Sequence, residues 1–276
     1  MQTPHGKTSS YLLITAIERV LDEGRIAVLA TLVEAPTAVG AKLLVEDAGM
    51  TIGSLGDHGV DRVVLEHAAK FLEGRKEAET FTLGELNPKS SKPELRILFE
   101  RVEPKPRIVI CGAGHVGAAL AKLASNCGYQ VTLIDDRAEF VTRELFPDEG
   151  IELLVAGKWT EAVIQSVGNG RGVSVAIVTR GHNEDEECMR ALVSTDADYI
   201  GLIGSKRRTN IVLNRLRDAG MDEEKLRTVR APIGLDIGAV TPEEVALSIL
   251  AEVVAERRGR KGAPLSAWRR EELEKR

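Results

Sequence analysis

Three cysteines in 276 residues, Cys111, Cys127 and Cys188, are too few and too irregularly spaced for a disulfide framework or a Cys-x-x-Cys zinc knuckle. All three are expected to be buried, reduced thiols. No apolar run approaches the roughly 20 residues that a membrane-spanning helix needs. The opening Met1-Gln2-Thr3-Pro4-His5-Gly6-Lys7 has no apolar core of the kind a secretion signal carries. Charge of one sign is also missing: 37 Lys and Arg stand against 42 Asp and Glu, a net charge of -5, so neither a nucleic-acid footprint nor attraction to an anionic membrane is implied. Internal repeats and low-complexity stretches are absent as well. The default is a cytoplasmic protein, and its length suggests two domains.

What is present is a glycine-rich turn in its full context. Arg107-Ile-Val-Ile-Cys-Gly-Ala-Gly-His-Val-Gly117 leads into a helix-like run to Cys127 and then into Val131-Thr-Leu-Ile-Asp135. Strand, turn, helix and acidic strand end together make a dinucleotide-binding fingerprint, which the glycines alone would not. Gly112 turns the chain, Gly114 lets the backbone approach a pyrophosphate, and Gly117 lets helix and strand pack closely. The phosphate then rests on the helix N-terminus, among amides without intrahelical partners. Asp135, about twenty residues beyond the glycines, is placed to take the ribose hydroxyls of an adenosine. It favours NAD over a 2'-phosphorylated nucleotide, while Arg137 weakens that preference. The bland alternative is a fold that keeps the glycines for packing and binds nothing.

Breaker residues organise the rest. Asn87-Pro88 through Pro93 and Glu103-Pro104-Lys105-Pro106 flank a strand-like Leu95 to Val102, and the second cluster marks a domain boundary. Upstream, residues 1–104 read as a smaller α+β domain: helix from Tyr11 to Leu21, strand from Ile26 to Val33, a hairpin over Lys42 to Val45 and Thr51 to Leu55, helix from Asp61 to Leu72, then strands at Phe81 to Leu83 and Leu95 to Val102. Downstream, residues 105–256 alternate strands (Ile108 to Cys111, Val131 to Asp135, Glu152 to Val155, Val173 to Thr179, Tyr199 to Ile203) with helices (Val116 to Asn126, Thr160 to Val167, Asp185 to Ser194, Arg207 to Ala219). Thr241-Pro242-Glu243-Glu244 opens a last helix with a cap, a first-turn proline and acids at the positive dipole end. Such alternation predicts an α/β fold with a Rossmann-like, doubly wound parallel sheet. Residues 257–276 form a basic, turn-rich tail that includes Trp268-Arg269-Arg270, read as solvated.

In such a sheet ligands bind beyond the carboxyl ends of the strands, where strand order reverses. That selects Gly112, Gly114, His115, Val116 and Gly117 in the turn, Asp135 and Arg137 after the second strand, Thr179 and His182 after the fourth, and Gly204, Ser205 and Lys206 after the fifth. His182 would contact a ligand or orient a water with Asp185, or else be a plain loop histidine beside Glu184, Asp185, Glu186 and Glu187, acids that simply favour the helix dipole. His115 reads equally as a ligand contact or an exposed helix-entrance residue. Ser205 is either an N-cap or a phosphate donor, and the positive charge of Lys206, Arg207 and Arg208 favours the second. Four consecutive acids without a convergent His or Cys do not make a metal site, and none is predicted.

Four segments resemble one known family, the XdhC/CoxI accessory proteins of molybdenum hydroxylases: Ile110 to Gly117, Ile134-Asp-Asp-Arg137, Tyr199 to Lys206, and Ala231 to Gly238 with Thr241 to Glu252. The resemblance covers most of the chain. It implies binding of the molybdenum cofactor, support for replacing its terminal oxygen by sulfur, and transfer to the apo-enzyme of a hydroxylase such as xanthine or carbon monoxide dehydrogenase. The implied partners are that enzyme and a cysteine desulfurase. The family pattern is incomplete. Gly40-Ala41-Lys42-Leu43 and Gly53-Ser54-Leu55 match, but Glu34 to Ala38 lacks a Pro-Arg pair, and Gly56-Asp57-His58-Gly59-Val60-Asp61 puts Gly59 where the family has cysteine. In the T-H-D-H loop Thr179 and His182 match, and Arg180 and Gly181 do not. Either His58 and Asp57 take over from the missing thiol, or this chain is a divergent paralogue that pairs with a thiol-bearing one and the two residues form an ordinary helix-capping turn.

The maturation role is weighed against an NAD-linked oxidoreductase, for which His182, with Lys206 as second choice, is the acid-base candidate. A nucleotide-sensing regulatory module is the third possibility. The ligand stays open between pterin cofactor and NAD-type nucleotide, and a homodimer is expected as the commonest assembly.

Overall fold

The computed structural model describes residues 5–264 apart from 48, 75, 169 and 171, so the expectation for Trp268-Arg269-Arg270 lies outside the described residues. The chain divides into two compact units, Met1–Pro104 and Lys105–Arg276.

The first unit runs α1 (His5–Asp22), β1 (Ala27–Glu34), β2 (Lys42–Glu46), β3 (Thr51–Ser54), α2 (His58–Glu73), β4 (Ala78–Thr82), α3 (Leu83–Leu86) and β5 (Arg96–Val102). Its strands form one antiparallel sheet in the order β3-β2-β1-β5-β4. Apolar side chains of β1 point to both faces because both are covered. Leu13, Ala16 and Val20 of α1 pack with Ala27 and Leu44, while Val60, Val64, Ala68 and Phe71 of α2 pack with Val28, Ala30, Ile97 and Phe99. Phe71, Phe81 and Phe99 meet edge to face, with centroids 5.2–6.4 Å apart, the geometry the ring quadrupole favours. Glu46, 2% exposed at the end of β2, is paired with Arg19 of α1 and with Arg25, which fixes the helix to the sheet. Strand β4 begins earlier than Phe81, and Leu83 turns into α3, started by a Thr82–Glu85 capping box.

The second unit runs β6 (Arg107–Cys111), α4 (His115–Asn126), β7 (Gln130–Asp135), a 3-10 turn (Ala138–Phe140), β8 (Ile151–Val155), α5 (Trp159–Val167), β9 (Val173–Ile177), α6 (His182–Leu192), β10 (Tyr199–Leu202), α7 (Lys206–Asp218), α8 (Glu223–Thr228) and α9 (Pro242–Arg257). All five strands are parallel, in the order β10-β9-β6-β7-β8. This is the doubly wound Rossmann arrangement, with its switch point between β6 and β9. Leu120, Ala121 and Ala124 of α4 pack with Ile249, Leu250 and Val253 of α9 over one face. On the other, Val163 and Val167 of α5, Met189 and Leu192 of α6 and Val212 and Leu216 of α7 cover Val175 and Ile177. Beyond α8, the chain adds a short parallel rung outside β10: Arg230 N donates to Ile200 O and Leu202 N to Arg230 O, both at 2.9 Å. The same segment is tied to α9, because Glu252 accepts Gly234 N at 2.8 Å and the Tyr199 hydroxyl, and Ser248 Oγ donates to Leu235 O at 2.6 Å. The distinctive residues from 231 to 252 thus hold one edge of the sheet together.

Cys111 and Cys188 are buried as expected, but Cys127, at the end of α4, is exposed. It follows the last apolar position of the helix and so falls outside the packed face. Among the described residues no helix is long and apolar enough to cross a membrane.

Candidate functional site

The crevice at the carboxyl ends of β6 and β9 is shaped by the three glycines, each for a different reason. Gly112 has φ +112°, and a Cβ there would lie 2.6 Å from Val178 O. A Cβ on Gly117 would sit 1.8 Å from Gly112 O, so the helix can cross the turn only without a side chain. At Gly114 φ is -64° and a Cβ would meet nothing within 4 Å. Neither backbone nor packing within the protein requires glycine there, whereas a ligand pressed against the backbone would. Gly114 is the N-cap of α4 without a side-chain cap bond, and no acid stands in the first turn. The amides and the positive dipole end therefore face the crevice uncompensated. His115 is exposed as the first helical residue, Val116 is half-buried, and Gly117 is buried.

Asp135 is turned inward, 1% exposed. Its Oδ2 accepts Ala113 N at 2.7 Å and Arg137 Nη2 at 3.0 Å; its Oδ1 accepts Arg137 N at 3.0 Å and Nε at 2.8 Å. The carboxylate braces the glycine turn, and Arg137, stacked 3.7 Å from the Phe140 centroid, closes over it. Burial pushes the Asp135 carboxyl up, but the Arg137 side chain and the amides of Ala113 and Arg137 together outweigh it and hold the group below the ordinary aspartate value of 3.8. A lowered pKa contributes stability that is present above the unfolded value and lost as pH falls through the folded one. Asp135→Asn is therefore expected to lower Tm at neutral pH and to flatten the decline of Tm as pH falls below the ordinary aspartate value of 3.8. Circular dichroism melts across that range check it, and parallel curves for the two proteins would sink the assignment.

The next residue, Asp136, is exposed, and its Oδ2 pairs with Arg180 Nη2 at 2.8 Å. After β9, Thr179 is buried and donates to Asp185 Oδ1 at 2.6 Å, while Arg208 of α7 donates to Asp185 Oδ2 at 2.8 Å. Asp185 is fully buried. It is therefore no solvated acid at a helix mouth, as the run Glu184 to Glu187 suggested, but the joint between two loops. Burial, the largest influence, raises the Asp185 pKa, and Thr179 and Arg208 offset it only in part. His182 stands exposed at the first position of α6. Ser205 caps α7, accepting Arg208 N at 3.3 Å after Gly204 at φ +145°, and Lys206 and Arg207 are exposed beside it.

In the first unit Asp57 caps α2, accepting Gly59 N at 2.8 Å and pairing with Lys92 Nζ at 2.6 Å. His58 is exposed, and Ser54 and Leu55 bond to Asp61 at 2.7 Å. These bonds make the Gly53–Gly59 segment a capped turn. Among the described residues no three His, Cys, Asp or Glu converge as metal ligands. The structure thus gathers the glycine turn, Asp135, Arg137 and Thr179 at one crevice and adds Asp136, Arg180, Asp185 and Arg208. Sequence reasoning gave Asp136 no site role; it placed Arg180 in the loop after β9, Asp185 beside His182 and Arg208 in the charge around Ser205, without their partners. The doubled acid before Arg137 and the arginine in the family's histidine position were the available signals.

Residues 108–253 match the XdhC Rossmann domain and residues 20–83 match the XdhC and CoxI family. Similar curated proteins include the uncharacterized protein YqeB of Escherichia coli, 30% identical over 78% of this chain and 40% of its own length. A probable xanthine dehydrogenase subunit of Bacillus subtilis is 32% identical over 59% of this chain and 46% of its own length. The molybdenum cofactor insertion chaperone PaoD of Escherichia coli is 27% identical over 56% and 41%. The chain spans less than half the length of these relatives. A crystal structure described as a xanthine dehydrogenase from Bacillus halodurans superposes with a TM-score of 0.67 over 92% of this chain and 70% of the other, at 23% identity, which bears on the fold alone. On the glycine turn, the strand order and the match across the whole parallel sheet, this chain belongs to the XdhC and CoxI family.

Proposed function

We propose that this chain is a non-catalytic maturation factor that binds the molybdenum cofactor, or a related nucleotide, and supports its sulfuration and insertion into a molybdenum hydroxylase apo-enzyme. The observation that carries this is the mouth of α4. It has no side-chain cap and no first-turn acid, and it lies beside a glycine whose missing side chain serves nothing inside the protein. That is a seat for a phosphate, in a chain similar to a molybdenum cofactor insertion chaperone. Thr179, after β9, and Ser205 and Lys206, at the α7 mouth after β10, lie at the same carboxyl edge of the sheet. Gly59 offers no thiol, so the sulfur comes from a partner, and a cysteine desulfurase has the required chemistry. Self-association as a homodimer in the cytoplasm completes the proposal, with Tyr11, Leu12 and Ile14, 55–71% exposed on α1, as the surface available for it.

Protein purified from cells that make the molybdenum cofactor is expected to carry pterin, measured as its fluorescent oxidised derivative. Gly114→Val is expected to lower Tm only slightly, by the small loss of N-cap preference, since its φ suits any residue and no atom lies near. It should retain about tenfold less pterin, because the new side chain occupies the approach to the phosphate. Pterin-free wild-type protein, together with undiminished hydroxylase activity in cells lacking the gene, would overturn the proposal.

A further inference from the structure

Strands β7 and β9 lie on either side of β6, and all three end at the same edge of the sheet. Asp136 directly follows β7, and Arg180 lies three residues beyond β9. Their 2.8 Å ion pair therefore crosses the carboxyl end of β6, directly where the glycine turn begins. Asp136 Oδ1 also lies 3.9 Å from Arg137 Nε, a long contact, and two further acid-base pairs of the crevice are internal: Asp135 is spent on Ala113 and Arg137, and Asp185 on Thr179 and Arg208. Of the three, the Asp136–Arg180 pair is the one substantially open to water, with side chains 31% and 48% exposed. An exposed pair of this kind contributes little to stability, so it can exchange partners. Arg180 also reaches Glu184 Oε1 at 3.4 Å, a contact long enough to yield.

We propose that Asp136 and Arg180 are a latch across the crevice that opens onto a nucleoside diphosphate with a free ribose diol. Opening leaves one anion and one cation, and this ligand class satisfies both. The diol donates two hydrogen bonds to the Asp136 carboxylate, and the diphosphate, seated on the amides of α4, accepts from the Arg180 guanidinium. The carboxylate that faces the ribose is thus Asp136, one residue beyond the position expected from the fingerprint, because Asp135 has no acceptor left to offer. A ribose 2'-phosphate would be repelled by Asp136. Arg180 stands where the family pattern has histidine, so the latch belongs to this chain and not to the family at large.

The inference rests on the phosphate-binding crevice proposed above and sharpens its ligand. Calorimetric titration of the full chain with ADP, 2'-deoxy-ADP and inorganic pyrophosphate tests it. The wild type is expected to bind ADP about tenfold more tightly than 2'-deoxy-ADP, the scale of a hydrogen bond to a charged group. Asp136→Asn should lose most of that difference and keep pyrophosphate binding. Arg180→Gln should weaken ADP and pyrophosphate alike. Both sites are exposed, so Tm should not move, and the comparison of the two nucleotides needs no variant at all. Equal affinity for ADP and 2'-deoxy-ADP, no binding of ADP, or pyrophosphate binding indifferent to Arg180→Gln would overturn the latch. Protein that retains pterin but refuses ADP refutes this inference and spares the maturation role; protein that binds ADP with the expected selectivity but never carries pterin does the reverse.

Discussion

Gly117→Ala is expected to destabilise the C-terminal unit by about 3 kcal/mol or more, the upper end of what overpacking costs. Helix propensity alone predicts the opposite sign, since alanine in a helix interior is favoured over glycine by about 1 kcal/mol. Geometry decides between them. The new Cβ would lie 1.8 Å from Gly112 O and 3.2 Å from Val178 Cγ2. The Gly112 carbonyl cannot retreat, because its own residue is fixed on both sides: Gly112 N donates to Ile134 O at 2.7 Å, and Gly112 presses against the Val178 backbone. Relief would have to lift α4 off β6, opening the contacts of Leu120 and Ala121 with α9. In a unit of this size each kcal/mol moves Tm by about 2–4 °C, so a fall of roughly 6–12 °C should appear in calorimetry. Gly157→Ala is the control, with no atom within 4 Å of its Cβ and no positive φ. A Gly117→Ala protein as stable as the wild type would mean that the turn and helix do not approach as described.

The same closeness explains what could be read without coordinates. Positions where backbone meets backbone admit only glycine, so Gly112 and Gly117 betray the turn, and the alternating strands and helices after it give the parallel sheet. The cap of α9 was legible for a similar reason: Thr241 and Glu244 satisfy each other's amides within one turn, with no help from afar. Thr82-Leu83-Gly84-Glu85 carries the same signal for α3 and was passed over as a strand end. Side-chain direction was not legible. Asp135 and Asp136 are adjacent carboxylates, and which one faces the crevice depends on the strand's pleat and on Arg137 folding back. Asp185 sits in a run of four acids that all suit a helix mouth; that it alone is swallowed depends on Arg208, distant in sequence and brought close by the β9–β10 pairing.

Asp185 should for that reason be a damaging polar site to empty. Removing one member of a buried pair leaves the other without its partner in a poorly solvated place, typically at a cost of about 3–5 kcal/mol. Arg208 keeps 29% of its side chain exposed, which reduces the expected loss for Asp185→Ala to about 2–3 kcal/mol. Thr179 would lose its acceptor in the same step, loosening the loops after β9 and β10. Asp185→Asn keeps an acceptor and should lose less. Its pH behaviour separates charge from shape. Burial raises the wild-type pKa, so the carboxyl contributes stability that is present below the ordinary value of 3.8 and lost as pH rises through its folded value. This partly cancels the opposite trend of Asp135, whose contribution disappears in acid. Once position 185 cannot ionise, that cancellation ends, and the fall in Tm on acidification should be steeper in Asp185→Asn than in the wild type. Denaturant titrations of both variants, with melts from neutral to acidic pH, test the two claims separately. An alanine variant within about 0.5 kcal/mol of the wild type, the usual range of a surface change, would show that Asp185 does not join the loops, and an unchanged acid slope in the asparagine variant would show that burial does not raise its carboxyl above the ordinary value.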